Sequence, residues 1–112
     1  MKKLNDFYRG DTKEVKVTIT KADGSPFDLT GATITFTMKK DDTDPDAEAV
    51  IQKTAVISTP ASGEALLTLT ATDTNQDTGE YFYDFQLVDS SGKVTTLLKE
   101  TISVLQDVTE TS

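Results

Sequence analysis

Gly79-Glu80-Tyr81-Phe82-Tyr83-Asp84-Phe85-Gln86-Leu87 is the stretch that decides the fold. Tyr81, Tyr83, Phe85 and Leu87 take every second position, the period of a pleated strand with one buried face. Phe82, Asp84 and Gln86 between them mostly face water. The strand follows a polar segment, Thr70 to Gly79, rich in Asp, Asn and Thr and long enough to cross from one sheet to another. A Tyr directly after such a crossover stands where a tyrosine corner places its hydroxyl against upstream backbone. Tyr81 is therefore either a corner or an ordinary core aromatic. The corner is the detail that favours a sandwich over a barrel.

Period two recurs on both sides of this strand. Val15, Val17 and Ile19 interleave with Lys16, Thr18 and Thr20, and Ile34, Phe36 and Met38 interleave with Thr33, Thr35 and Thr37. Apolar residues opposite threonines describe strands wet on one side. In Lys21-Ala22-Asp23-Gly24-Ser25-Pro26, Asp-Gly supplies the positive φ of a tight turn and Pro forbids a continuing central strand, so the chain reverses. Asp41-Asp42-Thr43-Asp44-Pro45-Asp46 reads as an exposed loop. Val50 to Ile57 and Ala65 to Leu69 resume strand composition around the turn Ser58 to Gly63, giving a second hairpin. After the turn Asp89-Ser90-Ser91-Gly92, a last run from Lys93 to Gln106 points Ile102 and Val104 the same way.

Six or seven short strands with evenly spaced turns and no 3.6-residue pattern predict an all-β, antiparallel, immunoglobulin-like two-sheet sandwich. Its predicted core holds Val17, Ile34, Phe36, Leu67, Leu69, Tyr83, Phe85, Ile102 and Val104. The 112 residues fit a single domain, 1–112, with flexible ends expected over 1–7 and 107–112.

Composition narrows the chemistry. With 36% hydrophobic and 27% charged residues the chain can bury a modest core. No apolar run approaches the roughly 18 residues of a membrane span. The start, Met1-Lys2-Lys3-Leu4-Asn5-Asp6, lacks the apolar stretch of a secretory signal, so no export is expected. Neither Cys nor His occurs, which removes disulfides, thiolate and imidazole metal ligands, Cys nucleophiles and the usual general base. A net charge of -8 repels phosphate backbones, so nucleic acid is a poor partner, and the same charge keeps a small domain soluble.

The remaining candidate sites fail on geometry. Asp73-Thr74-Asn75-Gln76-Asp77-Thr78-Gly79-Glu80 spaces oxygens as a Ca²⁺ loop does, but Thr78 stands where the loop needs Gly and Asp84 where it needs a bidentate Glu. Asp42, Asp44 and Asp46 are interrupted by Pro45. Arg9-Gly10-Asp11 spells the integrin-binding tripeptide, yet it precedes the first expected strand and reads as the turn that launches it. No general base stands beside any Ser or Thr, and no phosphate loop or nucleophile elbow is present. The expectation is no catalytic, cofactor or metal residue.

Four stretches together resemble a known family: Tyr8-Arg9-Gly10-Asp11-Thr12, Asp23 to Phe36, Gly79 to Leu87, and Asp89 to Lys93. They look like the N-terminal immunoglobulin-like domain of the baseplate upper proteins of tailed bacteriophages and like short relatives among phage structural genes. The resemblance implies a non-enzymatic component of the virion, in tail, baseplate, neck or capsid, assembled in the host cytoplasm and packed in repeated copies against other virion proteins. Baseplate upper proteins continue past this domain into a segment that carries receptor-binding proteins, so a chain of this length is expected to serve as an adaptor or decoration protein. No membrane, nucleic acid or small-molecule substrate is expected as a partner. The alternative is a bacterial cell-surface or secreted immunoglobulin-like adhesion module, for which threonine-rich strands are equally normal.

Overall fold

A computed structural model describes residues 4–106 of the chain; residues 1–3 of the first expected flexible segment and all of the second, 107–112, lie outside that range. Eight strands form two sheets: β1 (Phe7–Tyr8), β2 (Lys13–Thr18), β3 (Thr33–Lys39), β4 (Ile51–Thr54), β5 (Val56–Thr59), β6 (Glu64–Leu69), β7 (Gly79–Val88) and β8 (Val94–Leu105). The larger sheet has the order β1-β8-β7-β3-β4 and the smaller β2-β6-β5. All pairings are antiparallel except β1 with β8. This is the sandwich the alternation predicts.

Each strand contributes one face to the core between the sheets. Every predicted core residue is buried there, joined by Leu29, Met38, Ile51, Tyr81 and Leu87 among others. Phe36, Tyr83 and Phe85 make an aromatic cluster, with ring centroids 5.1 Å apart for Phe36 and Phe85 and an edge-to-face Tyr83–Phe85 contact at 6.2 Å. Such pairs add about 0.5–1.5 kcal/mol beyond burial. The tyrosine corner is present: the Tyr81 hydroxyl donates to the Asp77 carbonyl at 2.6 Å.

Three local features depart from the sequence reading. The single strand expected over Val50 to Ile57 is two strands in different sheets, β4 beside β3 and β5 beside β6. The chain changes layers at Ala55, a small buried residue whose N–H donates to the Ile34 carbonyl at 2.9 Å. Sandwich corners form where a strand bends between sheets, and Ala there needs no Gly or Pro to mark it. Within the crossover, Ala71–Thr74 forms one helical turn, α1. A capping box holds it, the Thr70 hydroxyl accepting from the Asp73 N–H at 3.2 Å while the Asp73 carboxylate accepts from the Thr70 N–H at 2.9 Å. One turn is too short for a helical period to show.

The third departure is the start of the chain. Residues 4–7, expected to be loose, are tied to the larger sheet. The Leu4 N–H donates to the Tyr83 hydroxyl at 2.8 Å, the Asp6 carboxylate accepts from the Ser103 N–H at 2.9 Å, and Phe7 is buried opposite Val104. Phe7 supplies the anchor, because burying an aromatic side chain repays the ordering of a short segment.

Turns are built on one device used four times. Asp23, Asp28, Asp41 and Asp89 each accept from both the N–H and the hydroxyl of the residue two positions on, Ser25, Thr30, Thr43 and Ser91. The β5–β6 turn differs. Its Gly63 has φ 69° and lies against the backbone of Ile19 and Phe27, its carbonyl oxygen accepting from the Ile19 N–H at 2.9 Å. A Cβ there would collide with the Ile19 carbonyl oxygen and lie 2.9 Å from that of Phe27.

Candidate protein-contact surface

With one face of each strand in the core, the opposite face of the larger sheet is the broadest surface of regular structure. Cross-strand pairing fixes its rows: Thr35 lies between Thr54 and Gln86, and Thr37 between Gln52 and Asp84. These rows leave a trough of about 420 Å³ lined by Thr35, Thr37, Gln52, Thr54, Asp84 and Gln86, with Asp46 and Lys53 also in its wall. Gln52 donates to the Thr37 hydroxyl at 3.2 Å, so part of the row is already ordered.

Asp84 sits half-buried at the centre of this face. Burial pushes its carboxyl above the usual Asp range, opposed by the positive charges of Lys39 and Lys99 and reinforced by the negative charge of Asp46. Beside it a second recess of about 120 Å³ is lined by Thr37, Lys39, Asp42, Phe82, Asp84 and Lys99 among others. The acidic 41–46 loop is strapped to that end of the face. Lys39 donates to the Asp44 carbonyl and pairs with Asp46, both at 2.8 Å, and Lys99 pairs with Asp42 at 2.8 Å. Solvent screening leaves such pairs little net stabilisation, so they orient the loop more than they stabilise the fold.

The loops weighed as cation sites spend their oxygens elsewhere. Asp73 is pushed up by burial, but hydrogen bonds from Lys53 and Thr70 and the Lys53 charge outweigh this and hold its carboxyl below the usual range. Asp77 pairs with Lys40 at 3.5 Å and gives its carbonyl to Tyr81. In the other loop Asp42 and Asp46 face different lysines. Among the described residues no group of three acidic side chains gathers as a metal site would require.

Arg9-Gly10-Asp11 lies between β1 and β2, after a short strand that the sequence reading lacks, and at no hairpin tip. Its Arg9 side chain donates to the Asn75 side chain at 3.0 Å, its Arg9 N–H to Leu105, and its Asp11 carbonyl accepts from the Thr74 hydroxyl at 2.6 Å. The tripeptide is a sheet-to-sheet connection held on three sides. The residues that sequence reasoning missed are Lys39, Lys99 and Asp84 as a group. Alternation alone put Asp84 on the outer face, but its neighbours depend on the β3–β7–β8 register.

Comparison with known proteins agrees with this architecture. The family model described as the BppU N-terminal domain, a domain of phage baseplate upper proteins, matches residues 2–110. Among solved structures, the crystal structure of CopC from Methylosinus trichosporium OB3b superimposes with a TM-score of 0.53 at 17% identity, over 96% of this chain and 89% of that one. At that identity the likeness is one of fold alone. No curated protein matches the sequence.

Proposed function

We propose that this chain, which belongs to the BppU N-terminal domain family, is a non-enzymatic structural or adaptor protein of a tailed-phage virion and works through protein–protein contact. The family match across residues 2–110 carries the reading, because it ties nearly the whole chain to a phage baseplate structural domain. The molecule supports it. Its outer sheet face offers short hydroxyl and amide groups suited to a wet, polar protein contact, and the aromatic side chains, apart from the half-buried Phe27 and Phe82 and the exposed Tyr8, are committed to the core.

The contacts proposed are with other virion proteins, and with further copies of the chain once assembled, at the threonine-rich face or the loop ends. Repetition lets weak contacts add through effective concentration. Assembly takes place in the host cytoplasm and the finished location is the virion, with no nucleic acid, membrane or small-molecule ligand engaged. Mass spectrometry of purified particles tests this. The chain is expected in intact virions or their assembly intermediates; its absence from both overturns the reading, and recovery from the host surface favours the adhesion alternative.

A further inference from the structure

The outer edge of β8 is occupied only at its C-terminal end. β1 pairs with Val104 and Leu105, and the Asp6 carboxylate takes the Ser103 N–H. From Val94 to Thr101 the strand has no pairing partner but β7 among the described residues. Unpaired N–H and C=O groups in a row are a template for a further strand. We propose that the occupant is a second copy of this chain, β8 against β8, antiparallel about a two-fold axis, so that two five-stranded sheets become one. The proposal rests on the reading above that the chain acts in repeated copies.

Charge and face select the register. Glu100, Leu98 and Thr95 lie opposite buried Tyr83, Phe85 and Leu87 and so belong to the inner face, whereas Lys99, Thr96 and Val94 lie opposite Asp84, Gln86 and Val88 on the outer face. Leu97 is the bulged residue between the two sets. An isologous pair must bring like faces together. A two-fold axis between Thr96 and Leu97 does so on both sides of the bulge, setting Val94 against Lys99 outside and Thr95 against Leu98 inside, while at the bulge itself Thr96 meets Leu97, which packs against the core. It also sets Lys93 against Glu100 twice. The paired stretch ends at Glu100, short of the segment that Asp6 and β1 occupy. Registers centred on Lys99 or Glu100 oppose a charge to its own copy and run into that occupied segment.

Val94, 58% exposed, gains cover in this pairing from the aliphatic stem of the facing Lys99. The net charge of -8 on each copy opposes approach at long range, so moderate salt strengthens the pair by screening that repulsion.

The chain has no cysteine, so single substitutions give unique thiols. Thr95→Cys and Leu98→Cys chains are oxidised alone and as an equimolar mixture. Residues opposite each other in an antiparallel pair lie about 4.5–5.5 Å apart, within disulfide reach, whereas Thr95 and its own copy are offset by about 10 Å. The mixture is expected to yield the mixed disulfide dimer and either chain alone little dimer; equal yields in all three overturn the register. Sedimentation equilibrium of cysteine-free protein gives an independent readout. Lys93→Glu is expected to weaken the dimer about tenfold, and Lys93→Glu with Glu100→Lys to restore it. A wild-type chain that stays monomeric at every salt concentration overturns the β8 pairing, while the virion reading stands or falls separately on the particle analysis.

Discussion

Replacing Gly63 with Ala tests whether the β5–β6 turn is locked to the loop that follows β2. The perturbation has two parts. A φ of 69° costs an L-residue about 1–2 kcal/mol, partly offset by about 0.4–1 kcal/mol from the stiffer unfolded chain. The added Cβ then meets the Ile19 carbonyl oxygen head-on and approaches the Phe27 carbonyl oxygen at 2.9 Å and its nitrogen at 3.2 Å. Relief requires the turn to move away from Ile19, whose N–H donates to the Gly63 carbonyl at 2.9 Å and whose carbonyl accepts from Phe27 at 3.0 Å. Leaving one or two such groups unsatisfied costs about 1–3 kcal/mol each. Gly63→Ala should therefore lower stability by about 3–5 kcal/mol, a large share of the roughly 5–15 kcal/mol a domain possesses. Gly24→Ala is the control, because Gly24 has a similar φ of 87° but open space around it, and should cost about 1 kcal/mol or less. Urea unfolding of both variants, compared by midpoint at matched slope, makes the measurement. Equal midpoints for the two would refute the close-approach argument.

The aromatic cluster predicts that Phe36→Ala or Phe85→Ala costs about 3–5 kcal/mol, and a melting point within a few degrees of the parent would show the core to be misassigned. Tyr81→Phe removes the donor to Asp77 and should cost about 0.5–1.5 kcal/mol by chemical denaturation; no change at all would mean the corner holds nothing. Asp84 has its pKa raised by burial, so its charged form is disfavoured in the folded state. Asp84→Asn is then expected to raise the melting point at neutral pH, the gain shrinking as pH falls through the raised pKa; a gain that grew in acid would reverse the assignment. The opposite sign holds for Asp23, Asp28, Asp41 and Asp89, whose pKa values are lowered chiefly by hydrogen bonds from the Ser or Thr two positions on. Their contribution is present above the ordinary Asp pKa and lost as pH falls through the lowered ones. Thr30→Ala should flatten that acid limb in a pH series of melting curves, and an unchanged limb would count against it.

Period two carried most of the fold because both sheets are wet on one side and dry on the other. Val15, Val17, Ile34, Phe36, Tyr83 and Phe85 announce their burial by alternation alone. What alternation cannot carry is the layer a strand joins. Val50 to Ile57 reads as one strand, yet the chain passes between sheets at Ala55, whose N–H donates to the Ile34 carbonyl. Nor does it carry the short β1, since two residues show no period and Phe7 is fixed by Val104, far away in sequence. The four Asp-x-Ser/Thr turns were open to reading: each spacing is local and its hydrogen bonds are complete within three residues. The cluster around Asp84 was not, because Lys39, Asp42 and Lys99 meet there only through the β3–β7–β8 register.

These placements change what the acidic composition means for contact. Many of the carboxylates that give the charge of -8 are engaged in holding turns or lysines: Asp23, Asp28, Asp41 and Asp89 close turns, and Asp42, Asp46, Asp73 and Asp77 face lysines. The trough left for a partner on the outer face is mainly hydroxyl and amide, with Asp84, Asp46 and Lys53 as its charged groups. Burying Asp84 further without a donor raises the cost already visible in its pKa, since desolvation disfavours the charged form. A partner that covers the trough must therefore bring a hydrogen-bond donor or a cation to Asp84, or bind it protonated. The β8 edge carries no such condition, because there the pairing groups are backbone and the facing charges, Lys93 and Glu100, are of opposite sign. Two surfaces with different requirements allow one chain to join its own copy along an edge and a different protein across a face.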